Sequence, residues 1–439
     1  MTTQPLDMLA IDGRTDRVEP EWLAALRASA EARFGEIGLP TPRDEAWRQT
    51  NLAPLSKLDL GVAPDARAAF TREIVDSLAT PGMTGPQLVF VNGRYAPGIS
   101  RLETLAGVRI VSLAEAVMDD DDELSGNLGQ LARESEAFTA LNTARFEDGV
   151  GVFVDAGASI ESPIHVVFIT SAATPCVTHP RLLVVAGPDS RVDVIEEFIG
   201  AGEDETYLTN ALSEAVVAER ADVRHYRIER ESESAYAIST LAARQGDESR
   251  FTSHSLLLGG HLVRNNVEPV IDGENVYSMR NGLYVGRGRQ HHDNVMLVSH
   301  KKPNCDSRQY YRGVLDDRSH GLFCGRIVVD QLAQKTDAVQ SNANLLLSPD
   351  ARAHAMPQLE IYADDVKCTH GATIGELDEG ALFYLRSRGL SEDAAMAILV
   401  HAFIGESLDR IEIEALRDAL RLRVVEHLPI DDSFANILE

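Results

Sequence analysis

Cys368 and His370 stand two positions apart in the run Lys367-Cys368-Thr369-His370-Gly371-Ala372-Thr373. In an extended strand, positions i and i+2 face the same side, so a soft sulfur and a borderline nitrogen would share one space. Thiolate and neutral imidazole both donate to transition metals, and binding by the thiol releases its proton. A closed zinc site takes four protein ligands, and an iron–sulfur cluster usually takes Cys on every iron. Two ligands can therefore be only part of a site, completed by a partner or a passing cargo. The alternative is a Cys acting as a small hydrophobe beside a hydrogen-bonded His. Spacing alone leaves both readings open.

Other residues could also do chemistry. His291-His292-Asp293 with His300 and Cys305 offers several metal-capable side chains within 15 residues, and stacked strands would bring some of them onto neighbouring rungs. Asn265, Asn266, Asn281 and Asn294 nearby argue instead for side-chain ladders and turns. Cys324, between Phe323 and Gly325, reads as a buried small residue. Glu360, Asp364 and Asp365 could hold iron transiently or form a solvated acidic edge. Gly286-Arg287-Gly288-Arg289 lacks the spacing of a nucleotide fingerprint, and there is no Walker A motif, so any ATP hydrolysis belongs to another subunit. The acidic run at 119–123 lacks the ligand spacing of a calcium loop and reads as a solvated linker.

Composition narrows the function classes. The chain has 439 residues, with 41 Lys plus Arg against 68 Asp plus Glu, and its formal charge of -27 would repel phosphate backbones. Nucleic acid is not an expected partner. The four cysteines, Cys176, Cys305, Cys324 and Cys368, are widely spaced and include no C-x-x-C, so reduced thiols are expected rather than a disulfide framework. No apolar run reaches membrane-spanning length and the first residues lack the pattern of a secretory signal, which predicts a soluble cytoplasmic protein without membrane contact.

The elements that must position these residues fall into three zones: a mixed, mainly helical α/β front domain over 1–148, a β-rich core over 149–378 and a helical domain over 379–439. In the core, short β-rich runs follow one another without long helices between them, and turn signals recur near 157, 189, 221, 248 and 274. This irregular recurrence, every 25 to 35 residues or so, predicts a parallel β-helix with variable corners, although period alone also admits a sandwich. Ends of such a solenoid need covering, by flanking domains or by a partner. In the last zone Ser391 predicts a helix cap, with Ala395, Ile398, Leu399, Ala402 and Phe403 on one face. After a break at Gly405, a second stripe of Ile413, Leu416, Leu420 and Val424 follows. Trp47 reads as a packing anchor.

Several ordered motifs resemble the SufB/SufD family of iron–sulfur cluster assembly scaffold subunits, and within it the SufD branch. They are Pro42-Arg43-Asp44-Glu45-Ala46-Trp47-Arg48-Gln49-Thr50, Phe323-Cys324-Gly325-Arg326, Gln334-Lys335-Thr336-Asp337-Ala338-Val339-Gln340, and the Cys368 block with Leu382-Phe383-Tyr384-Leu385-Arg386-Ser387-Arg388-Gly389. The resemblance implies a mainly β fold with a right-handed parallel β-helix core. It also implies a non-catalytic scaffold role, a SufB-like partner and a SufC-like ATPase gripping the C-terminal helices, in an arrangement of one SufB, one SufD and two SufC. A nascent iron–sulfur cluster would form at the subunit interface with Cys368 and His370 as its cofactor-binding and metal-ligating residues here. Flavin binding by the whole complex, and a homodimer in the absence of SufB, are left open. The competing reading is a β-helix enzyme acting on an acidic polysaccharide. It rests on analogy of fold alone, and the negative charge and missing secretory signal oppose it.

Overall fold

Polar corners define the core. Asp189, Arg220, Glu248, Asn275, Asn304 and Lys335 all adopt left-handed backbone, with φ between 54 and 60°, at intervals of 27 to 31 residues. Each donates its backbone N–H to a carbonyl in the corner one turn further on, such as Arg220 to Asp247 at 2.8 Å and Asn304 to Gln334 at 2.9 Å. The strain of placing non-glycine residues there is offset by this ladder. Between corners, runs rich in β-branched and aromatic residues form strands.

The computed structural model describes residues 8–13, 19–119, 121–133 and 136–428. Two sheets result, of eleven and ten strands, whose successive members alternate along the chain. The ten-stranded sheet stacks Arg191–Gly200, Asp222–Arg230, Arg250–Leu257, Tyr277–Gly286, Asp306–Leu315, Asp337–Leu346 and Lys367–Gly375 in parallel register. The other stacks Arg181–Ala186, Tyr207–Val217, Tyr236–Gln245, Leu262–Ile271, His291–His300, His320–Val329 and Arg352–Ile361. The expected parallel β-helix is thus a two-sheet solenoid of about eight turns, with helices at both ends of the chain. Its first strands come from the front region: Gln87–Val91 joins the ten-stranded sheet through Ile164–Thr170, and Val108–Ser112 joins the other by pairing antiparallel with Val150–Val154.

Both sheets are covered on their outer faces over much of their length. Phe34, Trp47, Leu52, Leu55 and Phe138 pack on Leu208, Tyr236, Ile238 and Leu262 of the eleven-stranded sheet. Trp47 is the anchor its position predicted, 5% exposed, with its ring 5.5 Å from that of Phe138. Across the other sheet, Val400, Ile404, Leu408, Leu416, Leu420 and Val424 of the C-terminal helices pack on Ile195, Tyr226, Ile228, Leu256 and Leu283.

Those helices depart from expectation in three ways. Ser391 does cap Glu392–Leu408, accepting a hydrogen bond from the Ala394 N–H at 3.2 Å, but the helix runs straight through Gly405. Its buried face is Ala397, Val400, Ile404 and Leu408; of the expected stripe Ala395 is buried, Ile398, Leu399 and Phe403 are half-buried and Ala402 is exposed. A helix apolar on nearly every side offers several stripes, and the sheet selects one of them. The second predicted stripe is buried at Leu416, Leu420 and Val424. Nor do the helices cap the end of the solenoid: they lie along its flank, and the last turn stays open among the described residues.

Candidate functional site

Strand alternation builds the site. Lys367–Gly375 is the last strand of its sheet and pairs on one side only, with Asp337–Leu346. Cys368 sits in register with buried Ala338, and His370 with buried Gln340. Both side chains therefore follow inward-facing columns of the preceding rungs, as the one-residue spacing predicted, but nothing stacks on them from the far side among the described residues. Cys368 is half-buried against the cluster of Ile271, Val298, Ile327, Val329 and Ala338, while His370 is exposed. Burial pushes the Cys368 thiol above its ordinary range, with the Asp337 carboxylate adding to the rise and a backbone hydrogen bond from Ala338 opposing it. The sulfur is thus held as a thiol until a metal or base removes the proton.

Beneath His370 runs a polar column that single-strand reading cannot find. Register stacks Ser253, Arg280, Gln309, Gln340 and His370 on five successive rungs. Gln340 donates to Gln309 Oε1 at 3.0 Å, and its own Oε1 is buried without a hydrogen-bond partner among the described residues. Arg280, 1% exposed, donates to the carbonyls of Phe251 and Met279. Burial pushes its guanidinium down to about 9.

Exposed apolar residues gather on the last rung and the helix after it. Met356 and Ile361 are exposed on Arg352–Ile361, Tyr362 just after it and Ile374 on Lys367–Gly375, while Phe383 and Tyr384 are 75% and 57% exposed on Glu379–Ser387, a helix with no buried residue. Unpaired strand edges and contiguous apolar surface are the two features by which sheets recruit other chains.

The other sequence candidates are dispersed. His291 and Asp293 point outward, whereas the buried His292 and His300 bond at 3.0 Å with the Gly259 carbonyl and at 2.9 Å with Ser307 Oγ. Cys305 donates to the carbonyls of Gly273 and Pro303. Neighbours in a strand face opposite sides, which separates a triplet that looked like one cluster. Among the described residues no set of three or more His, Cys, Asp or Glu side chains is arranged to hold a metal ion. Glu360 pairs with Arg326 at 2.8 Å on the outer face of the opposite sheet, and Asp365 serves the last corner, accepting from the Lys335 N–H. Asn265 and Asn294 form the predicted ladder, at 3.3 Å. A cavity of about 250 Å³ lined by Arg27, Arg94, Tyr95, Phe146 and Glu147 lies at the first turns, remote from Cys368. No helix among the described residues is long and apolar enough to cross a membrane.

Fold and site together define a parallel β-solenoid protein that carries a thiol–imidazole pair in the mouth of one unfinished end. Residues 168–403 match the family model for the SUF system FeS cluster assembly SufBD core domain, and residues 14–166 match that for the SufBD protein N-terminal region. The chain is 33% identical to an iron–sulfur cluster assembly SufBD family protein of Synechocystis, over 92% of this chain and 90% of the relative. It is 30% identical to the iron–sulfur cluster assembly protein SufD of Escherichia coli, over 89% and 90%, and 25% identical to SufD of Bacillus subtilis, over 92% and 93%. The chain belongs to the SufBD family, and its role is in iron–sulfur cluster assembly.

Proposed function

We propose that this chain is the SufD-type scaffold subunit of a cytoplasmic assembly complex, pairing through its open end with a SufB-like subunit and binding a SufC-like ATPase through its C-terminal helices. One observation carries the reading: Cys368 and His370 occupy inward columns on the last rung, whose far side is unpaired among the described residues, with exposed apolar side chains on the same rung. A docked partner strand would continue the sheet and close the mouth over both side chains. The cluster is cargo here. Iron and sulfide would be held between the two chains, His370 donating as neutral imidazole and Cys368 as thiolate after losing its proton, with the partner supplying the remaining ligands. The chain itself would hydrolyse nothing. ATP turnover on the partner would move the helices that pack along the ten-stranded sheet.

Anaerobic co-expression with the organism's SufB-like and SufC-like chains tests this reading. His370→Ala should keep the complex on size exclusion while its iron and sulfide drop at least about tenfold, the lower end of the loss seen when even the groups that support metal ligands are removed. Cys368→Ser should keep the complex and lose cluster to a lesser or equal degree. If the chain elutes alone, and wild type carries no more iron than either variant, the scaffold reading is wrong.

A further inference from the structure

Two sequence motifs not used by the proposed cluster site meet on the outer face of the eleven-stranded sheet: the segment ending at Thr50, and His291 with Asp293. The Thr50 hydroxyl, 1% exposed, donates to Asp293 Oδ2 at 2.6 Å. His291 Nε2 lies 3.1 Å from the same hydroxyl oxygen. On the next rung His320 Nδ1 is 3.0 Å from His291 Nδ1, and on the last rung His354 Nδ1 is 2.7 Å from His320 Nε2. The rings meet edge to face, with centroids 4.7 and 4.9 Å apart. Exposure rises along the line, from buried Asp293 through half-buried His291 and His320 to exposed His354.

Each neutral imidazole owns one N–H, which fixes the direction of the whole chain. Thr50 spends its proton on Asp293, so its oxygen accepts from His291 Nε2–H. His291 Nδ1 then accepts from His320 Nδ1–H, and His320 Nε2 accepts from His354 Nδ1–H. His354 is left with a bare Nε2 lone pair at the surface. The inner end is a buried clasp. Arg264 binds Asp293 Oδ2 at 2.5 Å, donates to the Ala46 carbonyl at 2.9 Å and lies 3.9 Å above the Trp47 ring.

We propose that Asp293, Thr50, His291, His320 and His354 form a proton relay that couples proton uptake at the exposed His354 ring to the clasp holding the 46–50 segment on the solenoid. A proton from solvent bonds to His354 Nε2. The Nδ1 proton of His354 passes to His320 Nε2, and that of His320 Nδ1 passes to His291 Nδ1. His291 then carries protons on both ring nitrogens, an imidazolium 3.1 Å from the Thr50 hydroxyl. One proton enters, none leaves, and the added charge rests on His291. The imidazolium competes with Arg264 for the Asp293 carboxylate and repels the guanidinium in a buried site, which loosens the hold of Arg264 on Ala46 and Trp47.

The groups acting on the two inner rings are Asp293, Arg264, His261 and Arg352, besides the rings themselves. Burial is the first cause that holds both rings below their ordinary range, His320 at about 4. A released segment would let them return towards the usual 6.5, so the released form binds more protons between these values. Clasp stability is therefore complete above pH 6.5 and lost as pH falls towards 4.

The test uses the full chain in a Trp22→Phe background, where Trp47 is the sole tryptophan, with imidazole ¹⁵N labelling. At pH 7.5 His320 and His354 should appear as Nδ1–H tautomers and His291 as the Nε2–H tautomer. On titration to pH 4, Trp47 emission should shift with a midpoint that coincides with the ring titrations, while far-UV circular dichroism stays constant. Thr50→Val should abolish that coincidence. His354→Ala, at an exposed position, should move the emission midpoint by about one pH unit, equivalent to a tenfold change in proton affinity. An Nε2–H tautomer at His354, or a Trp47 response identical in wild type and His354→Ala, overturns the relay.

Discussion

Buried charges in this fold are bound up with how its layers dock. Arg181 and Glu214, both fully buried, pair at the junction where Glu214 also accepts from the backbone N–H groups of Gly129, Leu131 and Ala132. Glu214→Ala leaves Arg181 uncompensated and three donors unmet, and should cost about 3–5 kcal/mol in urea unfolding. Glu229 and Glu231 are fully buried as well, and burial raises both carboxyls above their ordinary range. The folded protein then retains a proton that the unfolded chain has released, so stability falls as pH rises from the ordinary carboxylate value of 4.5 through the raised range. Glu229→Gln should flatten that slope, read as the pH dependence of the urea midpoint between about pH 5 and 8. At this scale the placing of Cys368 and His370 on one face of their strand was legible, because a period of two needs only local sequence. The column of Arg280, Gln309 and Gln340 beneath them was not, since its members lie 29 to 31 residues apart and meet only through register.

Among the elements, the corners are the most exacting. Asn275 has φ 58° and donates its N–H to Pro303. Asn275→Gly should be nearly neutral, whereas Asn275→Val should destabilise by about 1–2 kcal/mol on thermal unfolding, because a β-branched residue fits that region poorly. Inside the solenoid, Gly282 faces Tyr311 so closely that an added Cβ would lie 2.1 Å from a ring carbon. Gly282→Ala should therefore cost about 1–3 kcal/mol through overpacking, with Asn275→Gly as the benign comparison. Turn signals near 189, 221, 248 and 274 found most of these corners, since Asp, Glu and Asn with small neighbours mark left-handed backbone locally. The same local reading missed the true buried face of Glu392–Leu408, because only the partner sheet distinguishes Ile404 from Phe403.

For the whole molecule, the covered flanks and the bare end have different consequences. Ile374→Lys or Phe383→Asp alters residues that contribute little to the folded monomer, 49% and 75% exposed. Each should leave the melting temperature within about 1 °C, as expected for surface changes within ±0.5 kcal/mol, while weakening association with a SufB-like chain on size exclusion. The six left-handed corner residues are Asp, Arg, Glu, Asn, Asn and Lys, with hardly a side chain in common. Side chains as different as these serve at the corners because the backbone hydrogen bond from one turn to the next holds the shape, provided that the residue tolerates left-handed backbone. The molecule thus inherits its repetition as a conformation and not as a spelling. Turns with few letters in common thereby stack as though cast from one mould.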